Sequence, residues 1–175
     1  AVLSKLFAWA MARDIVSASP VAAIERAPET SRERFLADDE LRLVWLAADT
    51  VGQPFEHLAK MLILTGMRLR EVAQTRWLEI DVAGRVWNLP QERSKNRRAH
   101  TVPLADTAIS LLQSLPRIGT AKDGFVFTTN GETAISGFSR AKERLDAAIV
   151  RLQREEAEAA GIVPDGIAPL APWSW

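Results

Sequence analysis

Residues 62–104 read LILTGMRLREVAQTRWLEIDVAGRVWNLPQERSKNRRAHTVPL, and the fold turns on how this stretch divides. Leu62 to Leu64 close an apolar helical stripe that begins near Pro54, and Thr65-Gly66 stops it. Arg68 follows at once, with Glu71 three residues on, so a short helix from Leu69 to about Thr75 leaves Arg68 at the junction. Arg76–Asp81 and Arg85–Leu89 then read as two short strands around an Ala-Gly turn. Ala99–Leu104 is a third strand, joined to the second by the basic loop Glu92–His100. The expectation is a small antiparallel sheet of three strands.

Outward from this stretch the pattern is helical. Asp38–Ala48 carries Leu41, Val44 and Trp45 on one face, and Leu36 is placed to staple against Leu41 if Ala37 is the cap. Ala105–Leu115 is a helix, Phe125–Phe127 a short buried extended run, and Ser136 opens the longest helix, which Gly161 stops. Upstream, residues 2–16 repeat apolar side chains at helical spacing, and Pro20 cannot continue that helix. Residues 20–35, with Pro20, Pro28 and mixed charge, read as a linker, and 162–175 as a loop. The class is α+β, mainly α, with helices packed around the small sheet.

Composition removes several functions. With 47% hydrophobic residues in 175, the chain can bury a sizeable core. Lys and Arg number 22 against 22 Asp and Glu, so any nucleic-acid claim must rest on local clustering. Without cysteine there is no disulfide framework and no thiolate site. His57 and His100 have no partners at metal-ligand spacing, so no metal is expected. No phosphate-cradling glycine loop supports nucleotide binding, no cofactor is implied, and no apolar run is long enough to span a membrane. Tyrosine is absent altogether.

Two features carry chemistry. Arg68 projects from a helix junction, where a guanidinium fork can bind two phosphate oxygens, or simply pair with Glu71. The loop Glu92–His100 sets Arg93, Lys95, Arg97 and Arg98 against one acid, a pattern that suits phosphate contact or a charged guard on a sheet edge. His57 reads as a surface residue on the polar side of its helix, and His100 as a phosphate donor or an ordinary strand-edge residue.

Thr65-Gly66-Met67-Arg68-Leu69-Arg70-Glu71-Val72, followed by Trp77-Leu78-Glu79-Ile80-Asp81, resembles the first catalytic box of the tyrosine recombinases, the phage-type integrases. Ser94-Lys95-Asn96 through His100-Thr101-Val102-Pro103-Leu104 resembles that family's lysine hairpin and the strand after it. The resemblance implies that Arg68 contacts a scissile phosphate and that Lys95 protonates the departing 5′ hydroxyl, with Glu71 supporting the arginine. Arg93, Arg97, Arg98 and His100 are the expected DNA-phosphate contacts. It further implies double-stranded DNA as partner, assembly with other recombinase protomers, and a cytoplasmic, nucleoid-associated location. The family breaks and rejoins DNA through a phosphotyrosine intermediate, without metal or nucleotide cofactor.

The pattern departs from the family in one respect. Its second box, a His-x-x-Arg, and its tyrosine nucleophile are not found in these residues. The expectation is therefore a fragment, inactive alone. Residues 1–19 would be the last helix of a DNA-clamping domain, 20–35 a linker, and 36–175 the N-terminal part of the catalytic domain. The alternatives are a non-catalytic DNA-binding remnant or decoy, and a protein-interaction module that keeps only the fold.

Overall fold

The computed structural model describes residues 2–24, 34–119, 123–163 and 169–174, and the chain divides into two units, 1–34 and 35–175. The first contains helix α1 (Val2–Met11), shorter than its sequence pattern because the chain turns through Asp14, a non-glycine residue at φ 54°. Leu3, Leu6 and Trp9 are exposed on it, and the Arg13 guanidinium lies 4.4 Å from the Trp9 ring centroid. Most of the expected linker lies outside the described residues.

The second unit runs α2 (Asp38–Val51), α3 (Phe55–Thr65), α4 (Leu69–Ala73), a 3-10 turn (Trp77–Glu79), β1 (Ile80–Asp81), β2 (Val86–Leu89), β3 (His100–Pro103), α5 (Asp106–Ser114) and α6 (Phe138–Ala159). The sheet order is β1-β2-β3, antiparallel throughout, with Ile80 opposite Trp87 and Leu89 opposite His100. Among the described residues no helix is long and apolar enough to cross a membrane.

Helix α3 is shared by two cores because its successive residues step around the axis by about 100°. Leu58 and Met61 face one cluster with Val72, Trp87, Leu89, Val102, Leu112 and Phe127. Ala59 belongs to the other, with Leu43, Val44 and Ala47 of α2 and Leu145, Ala148 and Ile149 of α6. Small residues at 47, 48, 59 and 148 let these three helices approach closely. Strand β2 alternates as a half-buried strand should, with Trp87 and Leu89 inside and Asn88 outside. Burying a side chain such as Trp87, Phe127 or Leu58, each almost wholly shielded, contributes about 1.5–3 kcal/mol.

Helix α2 does begin after Ala37, whose backbone amide donates to the Glu40 carboxylate at 2.8 Å. This is the returning arm of a capping box, and the methyl side chain cannot supply the other. The expected strand Arg76–Asp81 is corrected to a 3-10 turn with two residues of strand. The Trp77 amide donates to the Gly124 carbonyl at 3.0 Å and the Val126 amide to the Thr75 carbonyl at 2.8 Å. Those bonds pair Arg76 with Phe125 outside the sheet and force the chain to turn before it can join β2. The longest helix starts two residues later than expected, because Gly137 takes a left-handed φ of 85°.

His57 also departs from its reading as a surface residue. It is buried, with Nε2 2.9 Å from the Ser114 hydroxyl oxygen, and so links α3 to the end of α5. Burial lowers its pKa from the ordinary value of 6.5, Glu56 opposing and Lys60 adding to the shift.

Candidate active site

The Thr-Gly junction explains where Arg68 stands. Thr65 turns its hydroxyl back to the Met61 carbonyl at 2.7 Å, so the side chain stays on the helix. Gly66 then takes the left-handed conformation, φ 62° and ψ 14°, with its amide donating to the Leu62 carbonyl at 2.9 Å. That geometry ends α3, and only glycine adopts it without steric cost. Arg68 follows in extended conformation as the residue before α4.

Glu71 lies one turn into α4 and is buried. Its Oε2 accepts the Arg68 backbone amide at 3.3 Å, and its Oε1 accepts the Arg68 Nη1 at 3.2 Å. The same Oε1 accepts the backbone amide of Lys95 at 3.3 Å, across 24 residues of sequence. One carboxylate therefore holds the arginine junction and the lysine loop together. The Arg68 side chain remains 54% exposed, so most of its donors are free for an anion.

A cleft of about 300 Å³ opens beside this carboxylate, bordered by Met67, Arg68, Ser94, Asn96, Arg98 and His100 among others. Lys95, Arg97, Arg98 and His100 are all exposed on or beside the loop. Arg97 takes a positive φ of 52°, which turns the chain sharply at the tip. Arg98 and His100 border the cleft with Arg68 and can meet an anion there without first giving up a buried partner, whereas Lys95 and Arg97 lie on the loop outside its border.

Arg93 departs from the expectation of a phosphate contact. Its Nη2 donates to the Glu71 carbonyl at 2.8 Å, and its Nη1 to the Gln74 carbonyl. Its Nε stands 3.0 Å from Glu79 Oε1, and the side chain is only 16% exposed. Glu79 is itself buried and accepts the Trp87 indole N–H at 3.0 Å. Desolvation lowers the Arg93 pKa while Glu79 opposes it, and a guanidinium in such a pair stays charged. The group is committed to the protein. Nothing in the spacing of the sequence reveals this, since two of its partners are backbone carbonyls.

The site thus gathers Arg68, Glu71 and the Lys95 loop, with Arg98 and His100 on the border of the cleft and Arg97 exposed at the loop tip. Its further lining includes Met67, Ser94 and Asn96, which lie within the two quoted motifs but had no role read for them, and Leu89, which the sequence does not single out. Among the described residues no group of three or more His, Asp or Glu is placed to hold a metal ion.

Helices around a small antiparallel sheet, with an arginine junction facing a lysine loop, define the class, and known proteins share the frame. The lambda integrase tetramer solved bound to a Holliday junction aligns over 97% of this chain and 59% of its own, with TM-score 0.54 and 18% identity. XerA recombinase aligns over 95% of this chain and 55% of its own, with TM-score 0.50 and 17% identity. These likenesses concern the fold alone.

Sequence carries the relation further. The tyrosine recombinase XerC of Xanthomonas axonopodis pv. citri is 33% identical over 135 residues, 74% of this chain and 43% of the relative. The prophage integrase IntZ of Escherichia coli is 30% identical over 115 residues, 63% of this chain and 29% of the relative. The phage integrase family model matches residues 34–164, and the chain belongs to that family, the tyrosine recombinases. It spans less than half the length of these two curated relatives.

Proposed function

We propose that these residues form the cationic half of a DNA strand-exchange site. Arg68 binds the scissile phosphate through its guanidinium fork, and Lys95 donates a proton to the departing 5′ hydroxyl. In phosphoryl transfer without metal, fixed cations must neutralise charge as it develops on the phosphate oxygens, and one group must protonate the leaving oxygen. Glu71 keeps Arg68 and the lysine loop at one place. Arg97, Arg98 and His100 contact flanking phosphates of double-stranded DNA. The observation that carries this reading is the shared Glu71 Oε1, which accepts from Arg68 Nη1 and from the Lys95 amide.

The nucleophile of a phosphotyrosine step is not among these 175 residues, which contain no tyrosine. On this reading the chain is a part of a site-specific recombinase acting on DNA in the cytoplasm. Residues 1–19 contribute α1 to a preceding DNA-clamping domain, 20–35 are a linker, and 36–175 are the N-terminal part of the catalytic domain. Assembly with other protomers belongs to the whole enzyme.

Two measurements test it. Incubated with a DNA duplex and run on a denaturing gel, these residues leave no covalent adduct; an adduct sinks the assignment of a missing nucleophile. In solution they bind duplex DNA with an affinity that falls as salt rises, and Lys95→Ala, Arg97→Ala and Arg98→Ala each lower the salt slope by about one. Binding that ignores salt, or no binding, overturns the DNA reading. Absence of tyrosine favours a second reading on the same surface, a DNA-binding module without strand transfer.

A further inference from the structure

Arg93 is the one cation of the basic loop that faces inward, and its three partners belong to two other parts of the fold, the end of α4 and the 3-10 turn. We infer that Arg93 is a positioning residue for Lys95: its guanidinium fork grips the carbonyls at the end of α4 and so sets where the lysine loop stands relative to Arg68. This rests on the assignment of Lys95 to the phosphate site.

The geometry is specific to arginine. The last carbonyls of a helix lack partners within it, and α4 ends by offering those of Glu71 and Gln74. A planar fork reaches both at once, whereas an ammonium is a single point with no fixed plane. The remaining nitrogen, Nε, stands in an ion pair with Glu79 without forming a hydrogen bond, and Glu79 is tied in turn to the Trp87 indole on the central strand. The clamp therefore joins the loop to α4, to the 3-10 turn and to β2 in one group.

Lys95 lies two residues along from this anchor. Between them the loop turns on the Pro90 carbonyl, which accepts the Arg93 amide at 3.1 Å and the Ser94 amide at 3.2 Å. Beyond it, Lys95 to Ala99 are exposed, and Lys95 has the long Glu71 contact at its amide as its tether to α4. Arg68 stands just before α4 and Arg93 holds the other end of it. The separation of the two active cations is thereby referred to one five-residue helix. A lysine on an untethered loop would sample many positions, and its contribution at a phosphate would be diluted by that freedom.

The test compares Arg93→Lys with the unaltered 175-residue protein. Lysine keeps the charge beside Glu79 but loses the two-carbonyl fork. Amide hydrogen exchange over residues 94–99 is expected to quicken by about tenfold or more, while α5 exchanges as before. Affinity for a short DNA duplex is expected to fall for Arg93→Lys in the unaltered background and to change little when Lys95→Ala is already present. Unchanged exchange over 94–99, or an equal loss of affinity in both backgrounds, overturns the inference. If Lys95→Ala alone binds DNA as the unaltered protein does, the phosphate role of Lys95 fails, and loop exchange alone then decides the clamp. Should Arg93→Lys fail to fold, Arg93→Met combined with Glu79→Gln removes both charges together, and the same exchange measurement decides.

Discussion

Arg68 and Arg93 both reach Glu71, yet they are opposite in character. Arg68 meets the carboxylate with one nitrogen and leaves more than half of its side chain in solvent. Arg93 meets the Glu71 carbonyl, the Gln74 carbonyl and the buried Glu79 carboxylate, and has little surface left. The difference teaches that a basic cluster is not a uniform phosphate surface. An arginine whose donors are spent inside the fold positions its neighbours, and one whose donors are free can meet a ligand. The same contrast divides the loop, where Lys95, Arg97 and Arg98 point their charge outward from the anchor that Arg93 provides.

The sharpest way to break this contrast is to remove each arginine and measure stability by urea unfolding. Arg93→Ala strands Glu79 in a buried position with only the Trp87 indole, and is expected to cost about 3–5 kcal/mol. A loss within about 0.5 kcal/mol, as for an ordinary surface site, would erase the distinction. Arg68→Ala is expected to cost less than Arg93→Ala, because the Arg68 guanidinium is half in water and the buried Glu71 carboxylate keeps two backbone donors. Its effect falls instead on DNA binding, whose salt slope drops by about one. Destabilisation as large as that of Arg93→Ala would make Arg68 another structural clamp.

The smallest effect lies away from both arginines, at His57. Its pKa in the folded chain is lowered by burial, so the unfolded chain binds the proton more readily. Neutral His57 therefore favours the fold fully above the unfolded value near 6.5, and this contribution is lost as pH falls toward and through the lowered folded value. Melting temperatures between about pH 8 and pH 5 should drop more for the unaltered protein than for His57→Asn, which cannot take up the proton. Parallel curves would show that the ring is not burdened by its burial.

Much of the fold was legible because its signals are local. The stop at Gly66, the alternation of β2, and the stripes of α2, α3 and α6 each depend on neighbours within one or two turns. The 3-10 turn at Trp77–Glu79 was not legible, since it follows from hydrogen bonds to Gly124 and Phe125's neighbour Val126, far along the chain. His57 was misplaced for a like reason. Its partner, Ser114, comes 57 positions later, and no helical period announces a hydroxyl on another helix.

The candidate site divides in the same way. By itself the sequence determined that an arginine would follow a helix stop, with a glutamate three residues on, and that a lysine would sit in a basic loop between two strands. Those are matters of backbone propensity and short spacing, which the chain carries wherever it goes. Only the tertiary structure decided which cations are available. The carbonyls that occupy Arg93, and the single carboxylate oxygen that joins Arg68 to the Lys95 amide, become partners only after α4 and the hairpin have packed together. A side chain's charge is written in the sequence, but whether it is already spent is a property of what folds around it.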